Sequence, residues 1–143
     1  MLNMEKYYIP KEEELHIGYI CEYRCVKIFG VGIKEYHDWK PITIDWGWLT
    51  YDEEIQFRTK YLDSEDIEKE GWINNGQDKF YVDCMNFQFN TIDENSSYLN
   101  YFMKVDFNSH WIQIEEMGSD SLYQGECKSI NEFRKICKWL NIK

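Results

Sequence analysis

The sequence predicts an α+β domain: an antiparallel β-sheet of about six or seven strands, a short internal helix over about 64–70, and a C-terminal amphipathic helix over about 129–141 packed on the sheet. Several short segments place apolar residues at every second position, the period of a strand with one buried face. Aromatic residues make up 17% of the chain and alanine is absent, so aromatic and branched side chains, which favour strands, must fill the core. Only the C-terminal segment keeps helical spacing over several turns.

Residues 15–23 alternate, with Leu15, Ile17, Tyr19, Cys21 and Tyr23 on one face, and residues 25–29 extend that strand or pair with it. Gly30-Val31-Gly32 reads as a break. Pro41 then stands at the edge of a second strand whose Ile42, Ile44, Trp46 and Trp48 share a face. Residues 55–62 alternate again. In the internal helix Asp63 or Ser64 caps the first amides, acidic residues occupy the first turn, and Gly71 suits a left-handed stop that folds Trp72 back onto Ile67.

Asn75-Gly76 predicts a tight turn before a strand over 79–90 that carries Phe80, Val82, Cys84, Phe87 and Phe89. Polar residues 91–97 separate it from a strand over 98–106, residues 107–110 turn, and 111–116 form the next strand, an antiparallel meander. The last helix opens on Ser129, with Glu132 completing a capping box, and carries Ile130, Phe133, Ile136, Cys137 and Leu140 on one side. With no repeat, low-complexity tract or linker, residues 1–143 read as one domain.

Hydrophobic residues at 43% and charged residues at 29% are the balance of a folded globular chain. Sixteen basic against twenty-six acidic residues give a net charge of −10, which repels a phosphate backbone and argues against direct nucleic-acid binding. Residues 126–143 are the exception, with five basic and two acidic residues. Three arginines against thirteen lysines, with only two prolines, fit the coding bias of an A/T-rich bacterial or phage genome. Charges interrupt the N-terminal segment where a secretory signal needs an apolar core, and no apolar run reaches membrane-spanning length, so a cytoplasmic protein without membrane contact is expected.

Five cysteines without a compact framework read as free thiols, and Asn95-Ser96-Ser97 as a polar loop. Cys21 and Cys25 would lie about 13 Å apart on a strand, too far to share one zinc. His16, His37 and His110 are dispersed, although His37-Asp38 could serve as an acid/base pair if the fold brought other groups to it. The acidic clusters at 12–14, 52–54, 63–70 and 115–116 supply carboxylates, but adjacent acids on a strand face opposite ways and the third cluster suits a helix start. No phosphate-binding loop or nucleophile elbow occurs, and no metal, cofactor or catalytic residue is assigned.

Tryptophan and arginine remain as binding candidates. Trp39, Trp46 and Trp48 surround Pro41, and the alternative for Trp46 and Trp48 is a place in the core. On the last helix Arg134, Lys138 and Trp139 join a ring to the basic segment, and Trp139 lies roughly 120° from the centre of the apolar face, so it belongs at the rim or in solvent.

Three segments also resemble a group of small uncharacterised proteins from gut Bacteroidetes and their phages: residues 60–72, Tyr123-Gln124-Gly125-Glu126 running into Asn131-Glu132-Phe133-Arg134, and residues 9–18. The resemblance covers roughly a third of the chain and implies a phage or mobile-element setting, without an activity or a catalytic residue. Together these readings point to a non-enzymatic binding protein, a phage accessory protein engaging a host component, with a basic protein as the partner that suits an acidic surface. A sharper form is a nucleic-acid mimic that fills a basic cleft. The alternatives are a small hydrolase or sugar- or nucleotide-processing domain with carboxylates in an aromatic cleft, and a protein that sequesters a small ligand.

Overall fold

A computed structural model describes residues 6–29, 33–45, 55–117 and 121–142. The chain divides into two compact units, Met1–Tyr61 and Leu62–Lys143. Among the described residues each unit holds one five-stranded sheet, and every strand pairing is antiparallel. The α+β class therefore holds, while the described residues form ten strands shared between two sheets rather than six or seven in one.

The N-terminal unit runs β1 (Tyr7–Tyr8), a 3-10 turn at Glu12–Glu14, β2 (Ile20–Phe29), β3 (Ile33–Tyr36), β4 (Lys40–Thr43) and β5 (Ile55–Lys60). The long β2 is its spine. One edge takes β5, with β1 beyond it, and the other takes β4 along the first half and β3 along the second. Tyr23 pairs with Lys40 and Val26 with Tyr36, so two residues of β2 face three residues of the β3–β4 link, a bulge anchored where His37 N–H donates to the Cys25 carbonyl at 3.1 Å. Among the described residues its core cluster is buried Tyr19, Cys21 and Ile44, with Leu15, Ile42 and Phe57 against them. Tyr19 is satisfied there by a 2.7 Å hydrogen bond between its hydroxyl and that of Thr59.

Two expectations need correction here. Residues 15–19 are not strand, because Gly18 takes a φ of +90° in a turn and Ile17 is left 46% exposed, so β2 begins at Ile20. The second strand starts at Lys40 and ends at Thr43, although Ile44 beyond it is buried as expected. Gly30-Val31-Gly32, Trp46 and Trp48 lie outside the described residues.

The C-terminal unit runs α1 (Ser64–Lys69), β6 (Ile73–Gln77), β7 (Cys84–Ile92), β8 (Tyr98–Asp106), β9 (Trp111–Glu116), β10 (Ser121–Glu126) and α2 (Ile130–Trp139). Its sheet is a meander in chain order, β6 to β10. Register lines up Phe87, Met103, Ile114 and Tyr123 as one apolar row, with Met85, Val105 and Ile112 as the next. Strand alternation turns these rows to one face, where α1 contributes Ile67 and α2 contributes Phe133 and Ile136 to the same core. The expected packing of the C-terminal helix on a sheet is what buries that face.

Both helices begin and end as their residues dictate. Asp63 and Asp66 exchange backbone and side-chain bonds in a capping box. At the α1 stop Gly71 N–H donates to the Glu68 carbonyl and Trp72 N–H to the Ile67 carbonyl, with Gly71 at φ +96°. α2 stops in the same way, with Asn141 at φ +57° and Ile142 N–H donating to Cys137. Ser129 caps α2 by accepting from Glu132 N–H, but the Glu132 carboxylate reaches one residue further back than in a capping box and accepts from Lys128 N–H at 2.6 Å.

Asn75-Gly76 makes no turn. Gly76 sits inside β6 at φ +86° in a bulge, held where its N–H donates to the Asn74 side chain at 2.8 Å. The strand expected from residue 79 starts only at Cys84; Phe80, Tyr81 and Val82 form an exposed loop, shaped by Asp78, whose side chain accepts from Phe80 N–H, and by Gln77, which donates to the Val82 carbonyl. Local alternation cannot reveal that these three apolar side chains are exposed.

Candidate functional site

Antiparallel pairing in the N-terminal unit sets Glu22 opposite Arg58 and Arg24 opposite Gln56. The strand period sends Cys21, Phe57 and Thr59 towards the core and these four polar residues to the other face. Arg58 donates from Nε and Nη2 to Glu22 Oε1 at 2.7 and 2.6 Å, and Arg24 donates from Nε to Gln56 Oε1 at 2.7 Å. Both guanidinium groups are thereby held in place on neighbouring strands.

The bulge carries Trp39 to them. Its ring centroid lies 4.5 Å from the Arg24 guanidinium carbon and 4.4 Å from that of Arg58. Tyr36 sits 4.4 Å from Arg24 on one side, and Tyr7 sits 3.8 Å from Arg58 on the other. The outcome is an alternating row, Tyr36–Arg24–Trp39–Arg58–Tyr7, carried on β3, β2, the β3–β4 link, β5 and β1. Each such contact is worth about 0.5–1 kcal/mol when exposed and more when water is excluded, so the row fixes ring orientations before any partner arrives.

Beside the row lies a cavity of about 580 Å3 whose further walls include Tyr8, Pro10, Leu15 and Phe57. The site thus offers flat apolar faces and cationic donors together. Glu22 pairs with Arg58 and Glu12 also lines the cavity, so two guanidinium groups and two carboxylates stand at the site.

The remaining sequence candidates fall elsewhere. Arg134 and Lys138 sit one turn apart on α2 and line a cavity of about 340 Å3 in the C-terminal unit, where Arg134 Nε donates to Glu70 Oε1. Trp139 is 73% exposed at the end of α2, with the Lys135 ammonium 5.6 Å from its ring, and does not line that cavity. The structure therefore brings Arg134 and Lys138 together and leaves Trp139 apart. Tyr7, Arg24, Tyr36 and Arg58 were not singled out by sequence reasoning. The scarcity of arginine was the one available signal, and only strand register shows that two of the three meet one tryptophan.

His37 and Asp38 are exposed on the β3–β4 link, and the carboxylates at 52–54 lie outside the described residues. Among the described residues no three His, Cys, Asp or Glu side chains group as a metal site requires, and no helix is long and apolar enough to cross a membrane. All five cysteines are free; burial pushes the Cys21 thiol up to about 11 and the Cys137 thiol up to about 12. Comparisons with protein-family models, with curated proteins and with solved structures found no match.

Proposed function

We propose that this protein is a non-enzymatic binding protein whose N-terminal unit engages a protein partner through the row around Trp39. The observation that carries this reading is the use of two of the chain's three arginines against one tryptophan, flanked by two tyrosines. Trp, Tyr and Arg are the residues on which interface energy concentrates, since they combine large buried area with directed polar contacts. Their mutual stacking lowers the ordering cost of binding. The acidic balance of the rest of the chain favours a partner with a basic surround and disfavours nucleic acid.

The setting we propose is the cytoplasm of a bacterial host, with the protein acting as a phage accessory that engages a host component. This part rests on the resemblance carried by residues 9–18, 60–72 and 123–134. The test is capture from a lysate of a gut Bacteroidetes on immobilised protein, with mass spectrometry, comparing the parent with Arg24→Glu and Trp39→Ser. We expect one host protein to be retained by the parent and depleted at least about tenfold by either variant, while melting temperatures stay within a few degrees. Retention of the same proteins by parent and variants would overturn the reading.

A further inference from the structure

A second site lies wholly within the C-terminal unit, where the end of α1, β7 and α2 enclose the cavity of about 340 Å3. Its apolar floor is Trp72, Phe89, Phe133 and Ile142. Trp72 and Phe133 are 4% and 1% exposed, and their rings meet edge-on at 5.9 Å, while Trp72 and Phe89 lie 5.3 Å apart. These rings are fixed by the same core that stops α1 at Gly71 and α2 at Asn141, so the floor is preformed.

The rim is charged. Arg134 and Lys138, four residues apart, share one side of α2. Glu70 accepts from Arg134 Nε, which holds the guanidinium while its terminal amino groups keep no hydrogen bond among the described residues. Lys138 is exposed and makes no ion pair among the described residues. The two cations against one carboxylate leave the rim one positive charge in excess, on a chain that is negative overall. Cys137 lines the wall as a neutral thiol, because burial pushes it up to about 12, and so does not repel an anion.

We propose that this cavity binds a small amphipathic monocarboxylate, its phenyl-sized or branched apolar body on Trp72, Phe89 and Phe133 and its carboxylate on Lys138 and the free side of Arg134. The volume lies at the lower end of the range for small-molecule sites, about 300–1,000 Å3, and an apolar lining with a few convergent polar groups is their usual make-up. A cationic ligand meets two like charges at the rim, and a neutral one gains only the floor. The site is independent of the partner face on the N-terminal unit, and neither stands or falls with the other.

The full-length protein is titrated with 3-phenylpropionate, its neutral amide and 3-phenylpropylamine, followed by the Trp72 indole N–H signal in 1H–15N spectra. Saturable shifts are expected for the carboxylate, at least about tenfold weaker binding for the amide, and none for the amine. Lys138→Gln, a change at an exposed position, should weaken carboxylate binding about fivefold or more at unchanged melting temperature. The proposal is overturned if the carboxylate gives no saturable shift, if the amide or amine binds as well, or if Lys138→Gln binds like the parent.

Discussion

Cys21 and Cys137 show how burial sets chemistry at the level of a single side chain. Desolvation is the main cause for each, with the Glu22 and Glu70 carboxylates adding to it, and the thiols rise from 9.0 to about 11 and about 12. A raised folded-state value means that the native protein keeps a proton which the unfolded chain releases. The stabilisation is therefore present in full below pH about 9 and is lost as pH climbs towards about 11 for Cys21 and about 12 for Cys137. Tyr19 and Tyr101, raised by burial, act in the same direction at higher pH. Melting temperature should fall steadily from pH 9 to 11, and Cys21→Val with Cys137→Val should make that fall shallower. A flat profile in the parent would contradict the burial of these thiols. The same neutrality predicts slow alkylation of both at pH 7.

At the scale of elements, the helix stops are the clearest places where one residue controls a larger structure. Gly71 combines a φ of +96° with a neighbour: a Cβ there would stand 3.3 Å from the Phe89 ring. Gly76 has a comparable φ of +86° but open space around it. Alanine in the left-handed region costs about 1–2 kcal/mol. Gly71→Ala should then destabilise by about 2 kcal/mol in urea unfolding and Gly76→Ala by about 1 kcal/mol. Equal losses would mean that the Phe89 ring yields freely. Because Phe89 also floors the cavity in the C-terminal unit, Gly71→Ala should perturb the Trp72 indole signal as well, whereas Gly76→Ala should not.

At the scale of the whole molecule, the two units bury apolar clusters of different size among the described residues. The C-terminal unit buries a continuous cluster that includes Ile67, Phe87, Met103, Ile112, Ile114 and Phe133, while the buried cluster of the N-terminal unit comprises Tyr19, Cys21 and Ile44. Apolar burial stabilises by roughly 25 cal/mol per Å2, so local opening should be costlier where more is buried. In native-state hydrogen exchange the central amides of β8 should be the slowest and those of β2 at least about tenfold faster. Equal protection in β2 and β8 would show that the small cluster is not what limits the N-terminal unit.

Much of what depends on neighbours within a few residues was legible in the chain itself, although the turn at Gly18 was not. Asp63, Gly71 and Ser129 mark helix ends through bonds that span three to five positions, and the strands at Tyr98–Asp106 and Trp111–Glu116 stand where alternation places them. The exposure of Trp139 follows from its angle on the helix. Tertiary structure decided what depends on pairing between distant segments. The division of the strands between two sheets, the bulge at Gly76 and the exposed Phe80–Val82 loop are examples, because a strand's period says which residues share a face but not what covers it. The row around Trp39 is of the same kind. Arg24 and Arg58 are 34 positions apart, and only the register of β2 with β5, together with the bulge before β4, sets both guanidinium groups against one indole. Likewise Glu70 reaches Arg134 across 64 positions because α1 and α2 cover the same apolar face of one sheet. Composition and local spacing determined the class of the fold and the kinds of side chain available for recognition, and long-range register determined which of them meet.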